Sequence, residues 1–195
     1  MIKVKLVLAT VFALVCSSAI AGSCVPDGLD LSIRDVTRLS QLKDTRTRGM
    51  ASAMLGENSS ERELVSTLFS MGLGVPKTVI SGNYKCRTIK MGGISALVTY
   101  GFFDCRISTN ENEFRIEKLT GSQRFTGRLV VQDAGVSYQG ASHYGYEEPR
   151  DYVGNSDRDQ VGCFYESLGK PGSLLLELPA PFFESVHDVI ELVRR

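Results

Sequence analysis

From about Val79 onward, short runs of β-branched and aromatic residues recur between glycine-containing breaks, and no other feature constrains the fold as tightly. Runs of this kind alternate sides along a strand, so they read as half-buried antiparallel strands rather than helices. They fall near residues 80–90, 95–107, 112–120, 123–132, 135–144, 160–167, 173–178 and 187–194. Thr120-Gly121-Ser122, Asp133-Ala134-Gly135 and Leu168-Gly169-Lys170-Pro171-Gly172 supply hairpin-length turns. Eight strands close a small barrel, so the expected fold class is mainly β (α+β), an antiparallel β-barrel or bent sheet of about eight strands. Tyr146 to Arg158, charged and without hydrophobic period, is the one long loop.

The segment ahead of the strands is written differently. Ser32-Ile33-Arg34-Asp35 is a capping-box pattern, and Ile33, Val36, Leu39 and Leu42 follow at helical spacing. They predict one helix running to about Leu55 and stopping at Gly56. Ser60-Glu61-Arg62-Glu63 repeats the box ahead of Leu64, Val65, Leu68 and Phe69, and Gly72 and Gly74 end that helix. Two amphipathic helices therefore precede the barrel, and their apolar faces either cover the sheet or recruit a partner.

Residues 1–21 carry Lys3 and Lys5, an apolar run from Leu6 to Val15, and Ala19-Ile20-Ala21, the order of a secretory signal peptide. The apolar run falls short of the ~20 residues that span a bilayer. The expected organisation is a signal peptide over 1–21 and a single domain over 22–195, helical from 22 to 78 and β-rich from 79 to 195. A periplasmic or secreted location follows, with no stable membrane insertion. Cys16 and Cys24 raise a lipoprotein alternative, but Val15 and Ala21-Gly22-Ser23 suit a lipid-bearing cysteine poorly. The 22 basic and 22 acidic residues balance. Loss of Lys3 and Lys5 tips the mature chain slightly acidic, which argues against nucleic acid as a partner.

In an oxidising compartment the four mature cysteines, Cys24, Cys86, Cys105 and Cys163, read as disulfides. Cys86 and Cys105 lie in neighbouring β-like runs joined through Met91-Gly92-Gly93, and adjacent strands bring two Cβ atoms within bonding range most readily. Cys24 and Cys163 then form the second pair or stay free. No C-x-x-C is present, and the spacings are too wide for a zinc site.

Gly82-Asn83-Tyr84-Lys85-Cys86-Arg87-Thr88-Ile89-Lys90, Cys105-Arg106-Ile107, Glu117-Lys118-Leu119-Thr120-Gly121-Ser122-Gln123-Arg124, Asp157-Arg158-Asp159-Gln160-Val161-Gly162 and Asp188-Val189-Ile190-Glu191-Leu192 resemble an exported proteobacterial family known only as a domain of unknown function. The paired Cys-Arg blocks are the most specific part of the likeness. The resemblance implies a bacterial periplasmic protein and no particular activity.

If Cys86 and Cys105 share one face of the sheet, alternation puts Arg87 and Arg106 together on the other. Two guanidinium groups there either form an internal salt-bridge network with Asp104 or Glu117, or hold an anionic ligand between them. Asn155, Asp157 and Asp159 alternate, with Glu166 at the twelfth position as in a calcium loop, but Gln160 stands where that loop needs glycine. Ser142-His143 misses a nucleophile elbow, and no phosphate-loop or dinucleotide motif occurs. The expected function is a non-enzymatic binding or inhibitor-type barrel without a cofactor, its partner a periplasmic protein or a small anionic ligand. The alternative is a hydrolase of cell-envelope material, working through the carboxylates of the 147–159 loop, among them Glu147, Glu148 and Asp151.

Overall fold

The computed structural model describes residue 24 and residues 29–76, 79–110, 113–132 and 135–195. The proposed signal peptide, Cys16 and the Asp133-Ala134 part of one expected turn lie outside the described residues. Three helices, α1 (Ile33–Ser40), α2 (Leu42–Ala53) and α3 (Ser59–Phe69), precede β1 (Leu73–Gly74), β2 (Gly82–Met91), β3 (Leu97–Thr99), β4 (Phe103–Asn110), β5 (Glu113–Lys118), β6 (Gln123–Gln132), β7 (Gly135–Tyr144), β8 (Asp159–Ser167), β9 (Ser173–Pro179) and β10 (His187–Arg194).

Eight of these strands close an antiparallel barrel in the order β2-β4-β5-β6-β7-β8-β9-β10, with β10 returning to β2. The mainly β barrel expected from the sequence is thus present. Its expected 95–107 strand is two strands. Ile89 pairs with Thr99 and Cys86 with Phe103, so four steps on one side oppose three on β2. The surplus residue around Tyr100-Gly101-Phe102 is a bulge that interrupts the ladder. β1 adds a short pairing outside β8.

Alternation sends Tyr84, Cys86, Ile107, Ile116, Leu129, Tyr138, Phe164, Leu176 and Leu192 into the barrel, where they form the main core. Gly127 and Gly140 face each other across β6 and β7. A Cβ on Gly140 would stand 2.4 Å from the Tyr138 hydroxyl oxygen. The tyrosine ring therefore fills the space that two absent side chains leave, and its hydroxyl donates to the Thr126 carbonyl at 3.0 Å.

The helices close over the outer wall. Ala53, Val65 and Leu68 pack on Ile89, Met91, Leu175 and Val189, while Leu39 and Leu42 pack on Val161 and Cys163. The single helix expected up to Leu55 is broken at Gln41, which ends α1 and starts α2. The break lets α1 lie against β8 while α2 follows the curved wall over β9, β10 and β2. Ser32 caps α1 as expected, accepting from the Asp35 amide. Asn58, not Ser60, caps α3, accepting from the Ser60 and Glu61 amides while its side-chain amide donates to Glu61 Oε1 at 3.5 Å. Cys86 pairs with Cys105 inside the barrel, and Cys24 pairs with Cys163 on β8, each with Cα atoms 5.8 Å apart. No helix among the described residues is long and apolar enough to cross a membrane.

Candidate functional site at the barrel mouth

Along several strands the inward positions stay apolar through the middle of the barrel and turn polar at one end. On β2 the series runs Tyr84, Cys86, Thr88, Lys90; on β5 it runs Ile116, Lys118; on β7, Tyr138, Gly140, Ser142; on β10, read backwards, Leu192, Ile190, Asp188. These polar ends gather at one mouth, where core packing gives way to a cavity with two lobes. The inner lobe holds about 190 Å³ and the outer about 150 Å³, and both are lined by Lys90, Gln123, Ser142, Gln160 and Asp188.

The charges lining the inner lobe do not balance. Lys90 Nζ lies 3.0 Å from Glu184 and 3.6 Å from Asp188. Burial alone would weaken its charge, and the two carboxylates more than offset that, holding the ammonium above its ordinary pKa. Asp188 accepts from the Ser185 hydroxyl at 2.5 Å, and its burial pushes the carboxyl up despite Lys90. Lys118 has no carboxylate partner among the described residues. Its Nζ sits 4.1 Å from the centre of the Phe103 ring, and burial, with Arg124 and Lys90 adding repulsion, lowers it to about 8. Arg124 Nε donates to the Gly121 carbonyl at 3.1 Å and likewise meets no carboxylate among the described residues. Two uncompensated cations thus face one cavity.

The outer lobe is roofed by the segment between β9 and β10, which presents Phe182 and Phe183 edge to face at 4.9 Å. Two residues there hold positive φ without being glycine, Ala180 at 42° and Glu184 at 71°. Gly93 anchors the loop: a Cβ on it would stand 2.2 Å from the Glu184 carbonyl oxygen, which instead accepts the Ile94 amide at 3.0 Å. Opposite, the Arg158 guanidinium lies 4.3 Å over Tyr144 and 5.9 Å from Phe183.

Of the residues singled out from the sequence, Asp157 and Asp159 line the outer lobe, and Arg87 and Arg106 do not line either lobe. Arg87 and Arg106 do share the outer face, but Asn83 is the residue opposite Arg106, so Arg87 stands four residues along, about 13 Å away. Each has its own acid: Arg87 pairs with Glu191 at 2.6 Å and Arg106 with Glu117 at 3.0 Å. Asp104 pairs with Lys85 and Arg195 instead. The structure does not bring the two arginines together.

Nor does it assemble the calcium set. Asp159 begins β8 and Glu166 lies seven residues along it, about 23 Å distant, beyond the reach of one cation. Asp159 spends its carboxylate on the amides of Val153 and Ser156. No cluster of three or more His, Cys, Asp or Glu that could hold a metal occurs among the described residues. In the 147–159 loop, Glu147 accepts from the Tyr144 amide and pairs with Arg150, Asp151 pairs with Arg115, and Asp157 lies 3.6 Å from Arg34.

Sequence reading passed over one constellation entirely. His187 Nδ1 lies 3.1 Å from the Thr45 hydroxyl and Nε2 lies 3.1 Å from Glu177, whose other oxygen receives Arg46. It has the composition of a nucleophilic triad, yet all three residues are buried between α2 and the barrel wall and none lines the mouth cavity. Burial would raise the Glu177 carboxyl, and the bonds from His187 and Arg46 hold it below its ordinary value. This is a structural tether of α2. The mouth cations escaped notice because Lys118 and Arg124 are ordinary charged residues until closure aims them at one cavity; the signal available was Lys118 following Ile116 at an inward position.

Fold and site together define a closed eight-stranded antiparallel barrel whose inner mouth lobe carries more cations than carboxylates. The chain matches a family model described as a domain of unknown function, DUF4893, over residues 30–192, and it belongs to that family. No curated protein and no solved structure matches it.

Proposed function

We propose that this is an exported, non-enzymatic binding protein that holds a small anion in the barrel mouth. The reading rests on one observation: Lys118 is buried beside Arg124 with no carboxylate to neutralise either among the described residues. A buried ammonium with no carboxylate beside it is costly unless a counter-charge arrives, and a ligand anion supplies it. A small closed barrel has room for one such ligand. The two disulfides and the leader-like first 21 residues support a periplasmic or secreted setting, and the resemblance noted above supports a proteobacterial one. Titration calorimetry with acetate, phosphate and larger carboxylates tests the reading. Binding that weakens with salt and disappears in Lys118→Met is expected; absence of binding by every anion overturns it.

A further inference from the structure

The two lobes of the mouth carry opposite balances of charge. The inner lobe is lined by three cations, Lys90, Lys118 and Arg124, against one carboxylate, Asp188. The outer lobe is lined by four carboxylates, Asp157, Asp159, Glu184 and Asp188, against Arg38, Lys90 and Arg158. Arg38 is given to Asp35 at 2.9 Å. Asp157 and Asp159 have Arg34 at 3.6 and 3.9 Å, and Asp159 also holds two backbone amides, so these two acids are largely spent. Glu184 and Asp188 are left to share the single ammonium of Lys90, at 3.0 and 3.6 Å. Lys118 lacks a carboxylate, and Asp188 has only this shared cation; both line the inner lobe. Neither charge is sealed off. Among the described residues the buried side-chain atoms without a hydrogen bond are Arg38 Nη2, Thr99 Oγ1 and His143 Nδ1, so Lys118 Nζ and Asp188 Oδ2 open on the cavity. Burial pushes the Lys118 ammonium down and the Asp188 carboxyl up, as expected where each lacks a full counter-charge. An anion alone answers the first shortage and worsens the second; a molecule carrying both charges answers both.

We infer that the ligand is a free α-amino acid in its zwitterionic form, its carboxylate toward Lys118 and Arg124, its ammonium toward Asp188 and its side chain in the outer lobe. The inference rests on the proposed anion-binding function and names the molecule that carries the anionic group. Size agrees. The carboxylate and ammonium of an α-amino acid are joined through one carbon, and the inner lobe of 190 Å³ has the space of about six waters at about 30 Å³ each. The outer lobe of 150 Å³, about five waters, takes a side chain as large as that of leucine or glutamine. Nucleotides, disaccharides and long acyl chains are too large. The carboxylates around the outer lobe repel an acidic side chain, and Phe182 and Phe183 at its rim suit one with apolar surface.

The test is calorimetric titration of the full mature protein with leucine, 4-methylpentanoate and 3-methylbutylamine, which are one skeleton with both charges, the carboxylate alone and the ammonium alone, and with glutamine and glutamate. Leucine should bind tightest, 4-methylpentanoate about tenfold weaker for the lost ammonium, and 3-methylbutylamine weaker than either. Glutamate should bind about tenfold weaker than glutamine. Asp188→Asn should cost leucine about tenfold more than it costs 4-methylpentanoate. Equal affinity for leucine and 4-methylpentanoate, or for glutamine and glutamate, overturns the zwitterion but leaves anion binding standing. An equal loss of both ligands in a folded Asp188→Asn also overturns it; should that variant fail to fold, the ratio of leucine to 4-methylpentanoate in wild type decides. The amine binding as tightly as leucine overturns the anion reading too. If none of the five binds, the amino acid is excluded, and the acetate and phosphate titrations decide the anion reading by themselves.

Discussion

Replacing Lys118 with methionine should make the unliganded protein more stable, although it removes a central residue of the proposed site. In the folded chain the ammonium is lowered from 10.5 to about 8 by burial first and by Arg124 and Lys90 next. Each pH unit corresponds to about 1.4 kcal/mol, so the full cost of keeping this charge is about 3 kcal/mol. Water in the cavity screens part of it, leaving about 2 kcal/mol. Methionine also gives up the contact of the ammonium with the Phe103 ring at 4.1 Å, worth about 0.5–1 kcal/mol. A net gain of about 1–1.5 kcal/mol at pH 7 is expected. The pH dependence isolates the cause. Below about pH 8 both folded and unfolded chains carry the proton and the penalty is constant; from about 8 to 10.5 the folded chain sheds it while the unfolded chain keeps it, so wild-type stability rises with pH across that window. Urea unfolding at pH 7 and at pH 9.5, for wild type and Lys118→Met, measures both effects. The two proteins should differ most at pH 7 and converge at the higher pH. A variant no more stable than wild type at pH 7, with parallel pH profiles, would mean that the ammonium is already compensated and that the argument for an anion fails.

Arg106→Ala should change stability by less than about 1 kcal/mol, since its pair with Glu117 is half exposed, whereas Arg87→Ala should cost about 2 kcal/mol because Glu191 is fully buried and keeps only Lys170 and Ser173; chemical denaturation compares them. Under oxidising conditions Cys86→Ser should cost about 3 kcal/mol for its separation of 19 residues, and Cys163→Ser more for its separation of 139, both losses vanishing when wild type is compared in reductant. Glu177→Gln should destabilise by about 3 kcal/mol at neutral pH, and because the Glu177 pKa is depressed below 4.5 when folded, wild type alone should lose that contribution as pH falls below about 4.5 in an acid-unfolding series. Gly93→Ala should displace the Phe182-Phe183 loop, seen as altered proteolysis near residue 183, because φ is 98° there and the added carbon meets the Glu184 carbonyl.

The barrel was largely legible because its evidence is local. Hairpin turns and two-residue alternation placed β6, β7 and β10 at their observed bounds, and strand adjacency placed Cys86 opposite β4. What escaped depends on curvature or on distance. The break at Gln41 answers the round wall beneath it, and the bulge at Tyr100-Gly101-Phe102 answers register with β2; neither leaves a strong local mark. Arg87 and Arg106 look paired because their sequence blocks look alike, but a stagger of four residues between β2 and β4 hands each to a different neighbour, Glu191 on β10 and Glu117 on β5. Alternation gives the face and says nothing of height, and height is what a binding site needs.

The position of β10 also sets what closure of the barrel requires. β4 to β8 form a meander in which each strand pairs with the one just before it, so those ladders can form as soon as their own turns close. β2 has no such freedom on its other edge. Its partner there is β10, and Arg87 must wait for Glu191, 104 residues further on. Closing a loop of that length is a slow, entropically uphill step that only the finished ring rewards. Until it happens the Lys90 and Asp188 ends of the mouth are on separate pieces of chain, so the cavity cannot exist before that closure.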